Sequence, residues 1–321
     1  MRKNFPIHVL CLALLFMTVA ARAARAQDAP VAAAITTTQT SNFSVGNGPE
    51  ALVFDGANVW VANQFSSNVT KLRASDGLTL GTYAVGKRPV ALAFDGANVW
   101  VANYLSNTVT KLRKSDGLNL GSFAAGDGPG GLVFDGVSIW VANRNSNDVT
   151  KLRACDGFKF GTFAVGARPI ALASDGSNIW VTNNKSNTVT KLRASDGANL
   201  GTFAVGDGPF GIAYDGAYLW VANFFSPCMM KLATDGTVLG KFIVGDGPAG
   251  VTYAGGYIWV ANNGSNTVSK LSPLTGAVVN TFAVGTSPYG VAYDGGNIWV
   301  ANADGDAVSR ISRSFSTATV P

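Results

Sequence analysis

Short apolar segments alternate with turn residues along most of this chain, and the pattern is clearest in residues 83–125. Apolar stretches of five or six residues are separated there by Asp-Gly, Ser-Asn and Ser-Asp-Gly, which are typical of tight turns between strands. Helices would need a 3.6-residue period and few Gly or Pro. The pattern therefore predicts four short strands, at Val90–Phe94, Val99–Asn103, Val109–Arg113 and Leu120–Ala125.

The same four-strand pattern recurs along the chain with a nearly constant period. Seven copies, spaced by 40 residues except for one interval of 39, begin at Phe43, Tyr83, Phe123, Phe163, Phe203, Phe242 and Phe282. The seven tryptophans occupy one position of the repeat: Trp60, Trp100, Trp140, Trp180, Trp220, Trp259 and Trp299. Four antiparallel strands repeated at this period indicate an all-β, seven-bladed β-propeller. We expect the tryptophans to fill the space between blades.

The two ends of the repeat array complement each other. Ser309–Ser312 ends the third strand of the last copy, and the tail at 313–321 lacks the fourth-strand pattern. That pattern occurs instead upstream of the first copy, in Thr40–Gly46. We therefore predict a propeller over 40–312 that is closed by the N-terminal strand pairing in the last blade, which leaves no open radial edge.

The first 26 residues have the features of a secretory signal peptide. Arg2 and Lys3 precede a short apolar stretch, and small residues follow at alternate positions up to Ala26. We predict cleavage after Ala26, with Ala23 as the alternative, and a lead-in over 27–39. The mature chain is then expected to be periplasmic or extracellular, without a membrane span, and a monomer.

Removing this segment changes the charge and the available chemistry. Four basic residues and no acid leave with it, so 24 basic residues become 20 against 19 acids and the net charge falls from +5 to about +1. Nucleic acid binding through bulk charge is thereby disfavoured. His8, the single histidine, also leaves, which removes the commonest general base and metal ligand. We expect no disulfide between Cys155 and Cys228, no cofactor and no metal site.

Individual copies also resemble a known repeat family. Trp180-Val181-Thr182-Asn183, the Trp-Val-Ala-Asn tetrads of the other copies, and the stretches 258–269 and 284–292 are similar to the YVTN β-propeller repeat. The resemblance covers residues 40 to about 312 and implies a seven-bladed propeller of extracytoplasmic bacterial type. The D-G-x-x-[IV]-W-V-A-N segment is more weakly similar to the propellers of streptogramin-type lyases, and that similarity concerns the scaffold.

Comparing the copies separates positions that build a blade from positions free for another role. The copies differ most at the residue after the Pro between blades and at the two residues after the second strand. Both sets are expected on one face, around the mouth of the central channel, where loops on a rigid scaffold commonly bind ligands. The candidate binding residues on this variable face are Glu50, Tyr104, Arg168, Phe210, Phe224, Phe225 and Tyr289.

The fifth copy departs furthest from the others, because Phe224–Met230 replaces the usual loop and strand. These residues form either an apolar patch for a partner, with Met229 and Met230 contributing, or an ordinary blade in which the methionines are core residues. Asp127, Asp207 and Asp246 share one position between blades, but they are expected to lie too far apart to hold a cation such as Ca²⁺.

Three functions remain open after this comparison. The favoured one is a non-enzymatic binding scaffold that takes an unknown protein or small ligand on the variable face. A lyase or hydrolase at the channel mouth is the alternative, using Glu50 with Asp207 or Asp246. Polyanion binding is the third, through a rim in which each Arg precedes a turn Asp by three residues; we expect this rim to be solvated. Its members are Lys71/Arg73, Lys111/Arg113, Lys151/Arg153 and Lys191/Arg193.

Overall fold

Each 40-residue copy folds as one four-stranded antiparallel sheet, and seven such sheets form a β-propeller. The structure is a computed structural model that describes the backbone of residues 35–316 and the side chains of residues 39–312. The predicted fold class is confirmed. The predicted signal peptide and most of the lead-in and the tail lie outside the described residues.

The first strand of each blade lines the central channel, since the first strands of neighbouring blades contact one another around the whole ring. These inner strands are β2 (Pro49–Phe54), β6 (Pro89–Phe94), β10 (Pro129–Phe134), β14 (Pro169–Ser174), β18 (Pro209–Tyr214), β22 (Pro248–Ala254) and β26 (Pro288–Tyr293). The second strands carry the tryptophans and are β3 (Asn58–Asn63), β7 (Asn98–Asn103), β11 (Ser138–Asn143), β15 (Asn178–Asn183), β19 (Leu219–Asn223), β23 (Tyr257–Asn262) and β27 (Ile298–Asn302).

The outer half of each blade consists of its third and fourth strands. The third strands are β4 (Asn68–Arg73), β8 (Thr108–Arg113), β12 (Asp148–Arg153), β16 (Thr188–Arg193), β20 (Cys228–Leu232), β24 (Thr267–Leu271) and β28 (Ala307–Ser316). The fourth strands are β5 (Thr79–Ala84), β9 (Asn119–Ala124), β13 (Lys159–Ala164), β17 (Asn199–Ala204), β21 (Val238–Ile243), β25 (Val278–Ala283) and β1 (Ile35–Ser44). One short 3-10 helix, Ala303–Gly305, precedes β28. Within residues 35–316 no helix has the length and hydropathy needed to cross a bilayer.

The ring closes as the sequence predicts, because β1 is the outer strand of the seventh blade and pairs with β28. The Val45 amide donates to the carbonyl of Asp306 at 3.1 Å, and the Ser309 hydroxyl donates to Asn42 Oδ1 at 2.7 Å. The Phe43 ring also lies 5.4 Å from the Trp299 ring. Both hydrogen bonds and ring packing therefore hold the two ends of the chain together.

The tryptophans fill the spaces between blades, as predicted. Trp100 is fully buried among residues of its own blade and of the next one, including Ile139 and Leu152. Its indole N–H donates to Asp95 Oδ2 at 2.8 Å, so the turn aspartate satisfies a buried donor. The same bond recurs in six blades. In the sixth blade Ala254 replaces the aspartate, and the indole of Trp259 donates to its backbone carbonyl instead.

These turn aspartates make the stability of the propeller depend on pH. Burial alone would raise the pKa of Asp95, but hydrogen bonds from Trp100, Ala97 and Asn98 outweigh it and lower that pKa. The pKa of Asp55, Asp175 and Asp294 is lowered in the same way. A carboxylate whose pKa is lower in the folded state stabilises the fold above its unfolded pKa of about 3.9. That contribution is lost as the pH falls through the folded pKa.

We therefore expect the free energy of unfolding to fall steadily below about pH 4. Urea unfolding followed by circular dichroism at several pH values measures it. Asp95→Asn should lower the free energy of unfolding near neutral pH. It should also make that free energy fall less steeply below pH 4, because one titrating group is gone. This account would be contradicted if stability rose below pH 4, or if the free energy of unfolding fell with the same slope below pH 4 in Asp95→Asn and in the unchanged protein.

The prediction of a solvated Lys/Arg rim is wrong for three of its four lysines, Lys71, Lys111 and Lys151. Lys111 is buried; its ammonium donates to the carbonyl of Ala154 in the next blade at 2.7 Å and lies over the Trp100 ring. Lys71 and Lys151 make the equivalent contacts. A long side chain can bury its stem while its charged end meets backbone carbonyls, so these lysines join neighbouring blades.

The arginines of this rim are half-exposed and paired with the turn aspartates, as predicted. Arg73 forms an ion pair with Asp76, and its hydrogen bonds, together with one from the Leu78 amide, lower the pKa of Asp76 to about 2. The other three arginines pair with the aspartate three residues later. Polyanion binding through this rim is therefore disfavoured, because three of its lysines are buried and its arginines are paired with aspartates.

Candidate functional site

The loops of the variable face are held firmly by backbone hydrogen bonds within each blade. The amide of Tyr104 donates to the carbonyl of Arg88 at 2.9 Å, and the amide of Phe224 donates to Gly208 at 2.9 Å. The residues after the second strand are thus tied to the segment that enters the same blade. The prediction that both variable sets share one face is confirmed, and their side chains project from a rigid frame.

A cavity of about 210 Å³ opens at the mouth of the central channel and is lined by inner-strand residues. Glu50, Phe210 and Tyr289, three of the candidate residues from sequence, line it together with Arg144. Neighbouring inner strands approach closely in the wall of this cavity: Gly211 lines it, and a Cβ on Gly211 would lie 2.1 Å from the carbonyl oxygen of Ala249. The cavity is therefore lined both by rim residues that differ between copies and by the small and aliphatic inner-strand residues that follow them.

One side of the cavity mouth is aromatic. The Phe210 ring lies 5.9 Å from the Tyr289 ring and 5.5 Å from the Phe224 ring, both within the usual range for aromatic pairs. Phe225 continues the series with an edge-on contact to Phe224, but its side chain is 70% exposed and points away from the cavity lining. The fifth and seventh blades thus supply a continuous aromatic wall.

The other side of the cavity is charged. An Arg144 Nη atom lies 3.6 Å from Glu50 Oε1, and the two side chains are only 12% and 11% exposed. Glu50 belongs to the first blade and Arg144 to the third, so the pair spans the channel mouth past the second blade. Gly130 provides the room for it, since a Cβ there would lie 2.0 Å from Arg144 Nε. The ion pair between Arg144 and Glu50 therefore depends on the absence of a side chain at Gly130.

Burial shifts the pKa of the ionisable groups at this cavity. Burial raises the pKa of Glu50, and the charges of Arg144 and Arg88 oppose that rise. Burial likewise lowers the pKa of Arg144, against the attraction of Glu50. The pKa of Tyr289 is raised by burial and by Glu50. The charged pair therefore lies in a desolvated environment, where an unmet hydrogen bond is costly.

Tyr104 supports this charged side from the second blade. Arg88 and Arg144 lie over its ring, at 5.1 Å and 5.6 Å from the centroid. Its hydroxyl donates to Asn145 Oδ1 at 3.2 Å, and Arg88 donates to Gln64 Oε1 at 3.3 Å. Tyr104 thus holds two guanidinium groups in place without lining the cavity itself.

The remaining candidates lie away from the cavity. Arg168 and Phe225 line a separate open groove between the fourth and fifth blades, next to Lys185 and Asp207. Of the residues proposed from sequence, Glu50, Phe210 and Tyr289 meet in the cavity, while Tyr104 and Phe224 pack against residues that line it. Sequence comparison identified the position of Arg144 as variable but did not include Arg144 among the candidate residues. The signal for it was Gly130, because most copies carry a larger residue at that position and the glycine leaves room for the Arg144 side chain.

The fifth blade keeps its core despite its unusual sequence. Met229 is fully buried and Met230 packs against the core, so neither belongs to a surface patch. Cys155 and Cys228 are free, as expected. Among residues 39–312, no group of three or more His, Cys, Asp or Glu side chains is placed to hold a metal ion.

Solved structures with the same architecture include several enzymes. The chain is similar to a streptogramin B lyase at 18% identity and a TM-score of 0.75, over 86% of this chain and 98% of that one. It is equally similar to the hydrazine synthase of Kuenenia stuttgartiensis at 18% identity and 0.75, over 85% and 98%. A virginiamycin B lyase from Staphylococcus aureus matches at 19% identity and 0.75, over 86% and 99%. At these identities the likeness defines a seven-bladed propeller and no activity.

No family model and no curated protein sequence matches the chain. Membership of the YVTN repeat family therefore stays a prediction from the repeat pattern.

Proposed function

We propose that this chain is an exported, non-enzymatic propeller of YVTN type that binds a small ligand at the mouth of its central channel. The observation that carries the proposal is the convergence of Glu50, Arg144, Phe210 and Tyr289 on one cavity. Each of these occupies a position that differs between copies, so the fold does not require its identity. A mostly apolar cavity with a few converging polar groups is the usual form of a ligand site.

A lyase is the alternative that the structural neighbours bring forward. One of them is a virginiamycin B lyase from Staphylococcus aureus described as catalytically inactive after a histidine-to-alanine change, with quinupristin. The described part of this chain contains no histidine, since the single one is His8. Glu50 is the one carboxylate lining the cavity, and it faces Arg144 rather than a second acid. The absence of a histidine among the described residues and the single carboxylate in the cavity favour a binding function over a lyase activity.

Aromatic fragments should bind the purified chain, and Phe210→Ala should weaken that binding about tenfold, because burial against the aromatic wall is lost. Ligand-observed NMR with a fragment library measures this. Phe65→Ala is the matched control, since Phe65 is an exposed phenylalanine on the same face that does not line the cavity. Equal weakening in both variants, no binding at all, or turnover of quinupristin would contradict the proposal.

A further inference from the structure

One buried nitrogen of Arg144 has no hydrogen-bond partner at the channel mouth. Its Nε is buried and has no hydrogen-bond partner, and one of its Nη atoms donates to the carbonyl of Gly130 at 3.1 Å. A buried N–H that meets neither water nor an acceptor costs about 1–3 kcal/mol, and more when it is charged. Arg144 lines the cavity, so a ligand that supplies an acceptor to its guanidinium there would offset this cost.

Glu50 does not fill this role. Its closest approach to Arg144 is 3.6 Å, beyond the range of a hydrogen bond, and it is made to an Nη atom rather than to Nε. A buried ion pair stabilises a protein only when its geometry is close and its remaining donors are satisfied. The pair therefore keeps a charged donor in the cavity without satisfying it.

The charges around the cavity favour an anion. Arg144 has Arg88 close by, because both guanidinium groups lie over the Tyr104 ring. Glu50 is the single carboxylate lining this cavity. One guanidinium and one carboxylate therefore meet inside the cavity, and the Arg88 guanidinium beside them adds a positive charge.

An aromatic wall stands beside this positive charge. Phe210 and Tyr289 line the same cavity as Arg144, and Phe224 extends their surface outward. We infer that the site takes an aromatic carboxylate, whose ring packs on Phe210 and Tyr289 while its carboxylate accepts from the guanidinium of Arg144. This inference rests on the ligand-binding function proposed above. The guanidinium fork suits a planar carboxylate better than it suits a neutral hydroxyl.

Three probes with the same ring separate the role of the charge from that of the ring. Isothermal titration of the purified chain at neutral pH compares 2-naphthoate, 2-naphthalenemethanol and 2-naphthalenemethylamine. We expect 2-naphthoate to bind at least about tenfold more tightly than the alcohol, since a charge-assisted hydrogen bond is gained. The amine should bind most weakly.

Two variants test the roles of the charged pair. Glu50→Gln should tighten 2-naphthoate binding severalfold, because a competing negative charge is removed. Glu50→Gln combined with Arg144→Gln should abolish the preference for the acid over the alcohol, and it leaves no uncompensated buried charge to unfold the site. Arg153→Gln is the matched control, because Arg153 is a half-exposed arginine of the same blade that pairs with Asp156.

The outcomes distinguish this inference from the function on which it rests. If the alcohol or the amine binds as tightly as 2-naphthoate and Phe210→Ala weakens all three, the site binds aromatic ligands and the inference is overturned. Weaker 2-naphthoate binding in Glu50→Gln would also overturn it. If no probe binds, both proposals fail.

Discussion

Trp100→Ala should lower the free energy of unfolding by about 3–5 kcal/mol, as removal of large buried aromatic side chains generally does. Trp100 is fully buried between the second and third blades, where it packs against Ala93 and Val141. Its loss leaves a cavity between blades and removes the indole donor from Asp95. Equilibrium unfolding in urea, followed by far-UV circular dichroism, measures the change.

The sixth blade provides a matched comparison for this substitution. Trp259 is 9% exposed, its N–H meets the Ala254 carbonyl at 3.2 Å, and a cleft of about 640 Å³ lies beside it. Trp259→Ala should therefore cost clearly less than Trp100→Ala, because fewer packed neighbours and no aspartate partner are lost. Equal losses in the two variants would show that the aspartate and the tight packing contribute little.

Removal of the closing strand should lower the melting temperature by at least roughly 10 °C. A chain that begins at residue 45 lacks β1, so it loses the ring contact between Phe43 and Trp299 and the hydrogen bond between Asn42 and Ser309. It also exposes the edge of β28, which invites pairing with another chain. The reference is the chain that begins at residue 27.

A synthetic peptide of residues 35–46 distinguishes strand closure from a general effect of truncation. Added to the shortened chain, it should restore much of the melting temperature, because it supplies the missing strand, whereas a scrambled peptide should not. Differential scanning calorimetry measures the melting temperature, and gel filtration detects association through the exposed edge. Identical melting temperatures for the shortened chain and the reference would rule out a stabilising role for closure.

The fold could be predicted almost completely from local pattern. In the second blade the observed strands Asn98–Asn103 and Thr108–Arg113 begin one residue before the predicted ones. The agreement follows because each blade is built from short-range signals: apolar residues in the strands and Asp-Gly turns between them. Ring closure was predictable for the same reason, since the missing strand pattern at one end occurs at the other.

The lysines show where pattern was insufficient. Lys111 lies in a strand that also carries a solvated arginine, and a charged residue at such a position is ordinarily exposed. The structure buries it because the next blade supplies the carbonyl of Ala154 as an acceptor and the Trp100 ring lies beneath its ammonium. Trp100 is the cross-strand partner of Lys111 in a hairpin that the turn pattern predicted, but Ala154 belongs to the next blade and no local signal indicated that contact.

The sequence by itself determined the number of blades, the strand order, the closing strand and the face on which the copies differ, because these depend on a repeated local pattern. Only the tertiary structure decided which variable residues meet. Ring geometry carries Arg144 across the channel mouth to Glu50, and the missing side chain at Gly130 gives it room. Such contacts depend on side-chain reach between blades, which spacing along the chain does not encode.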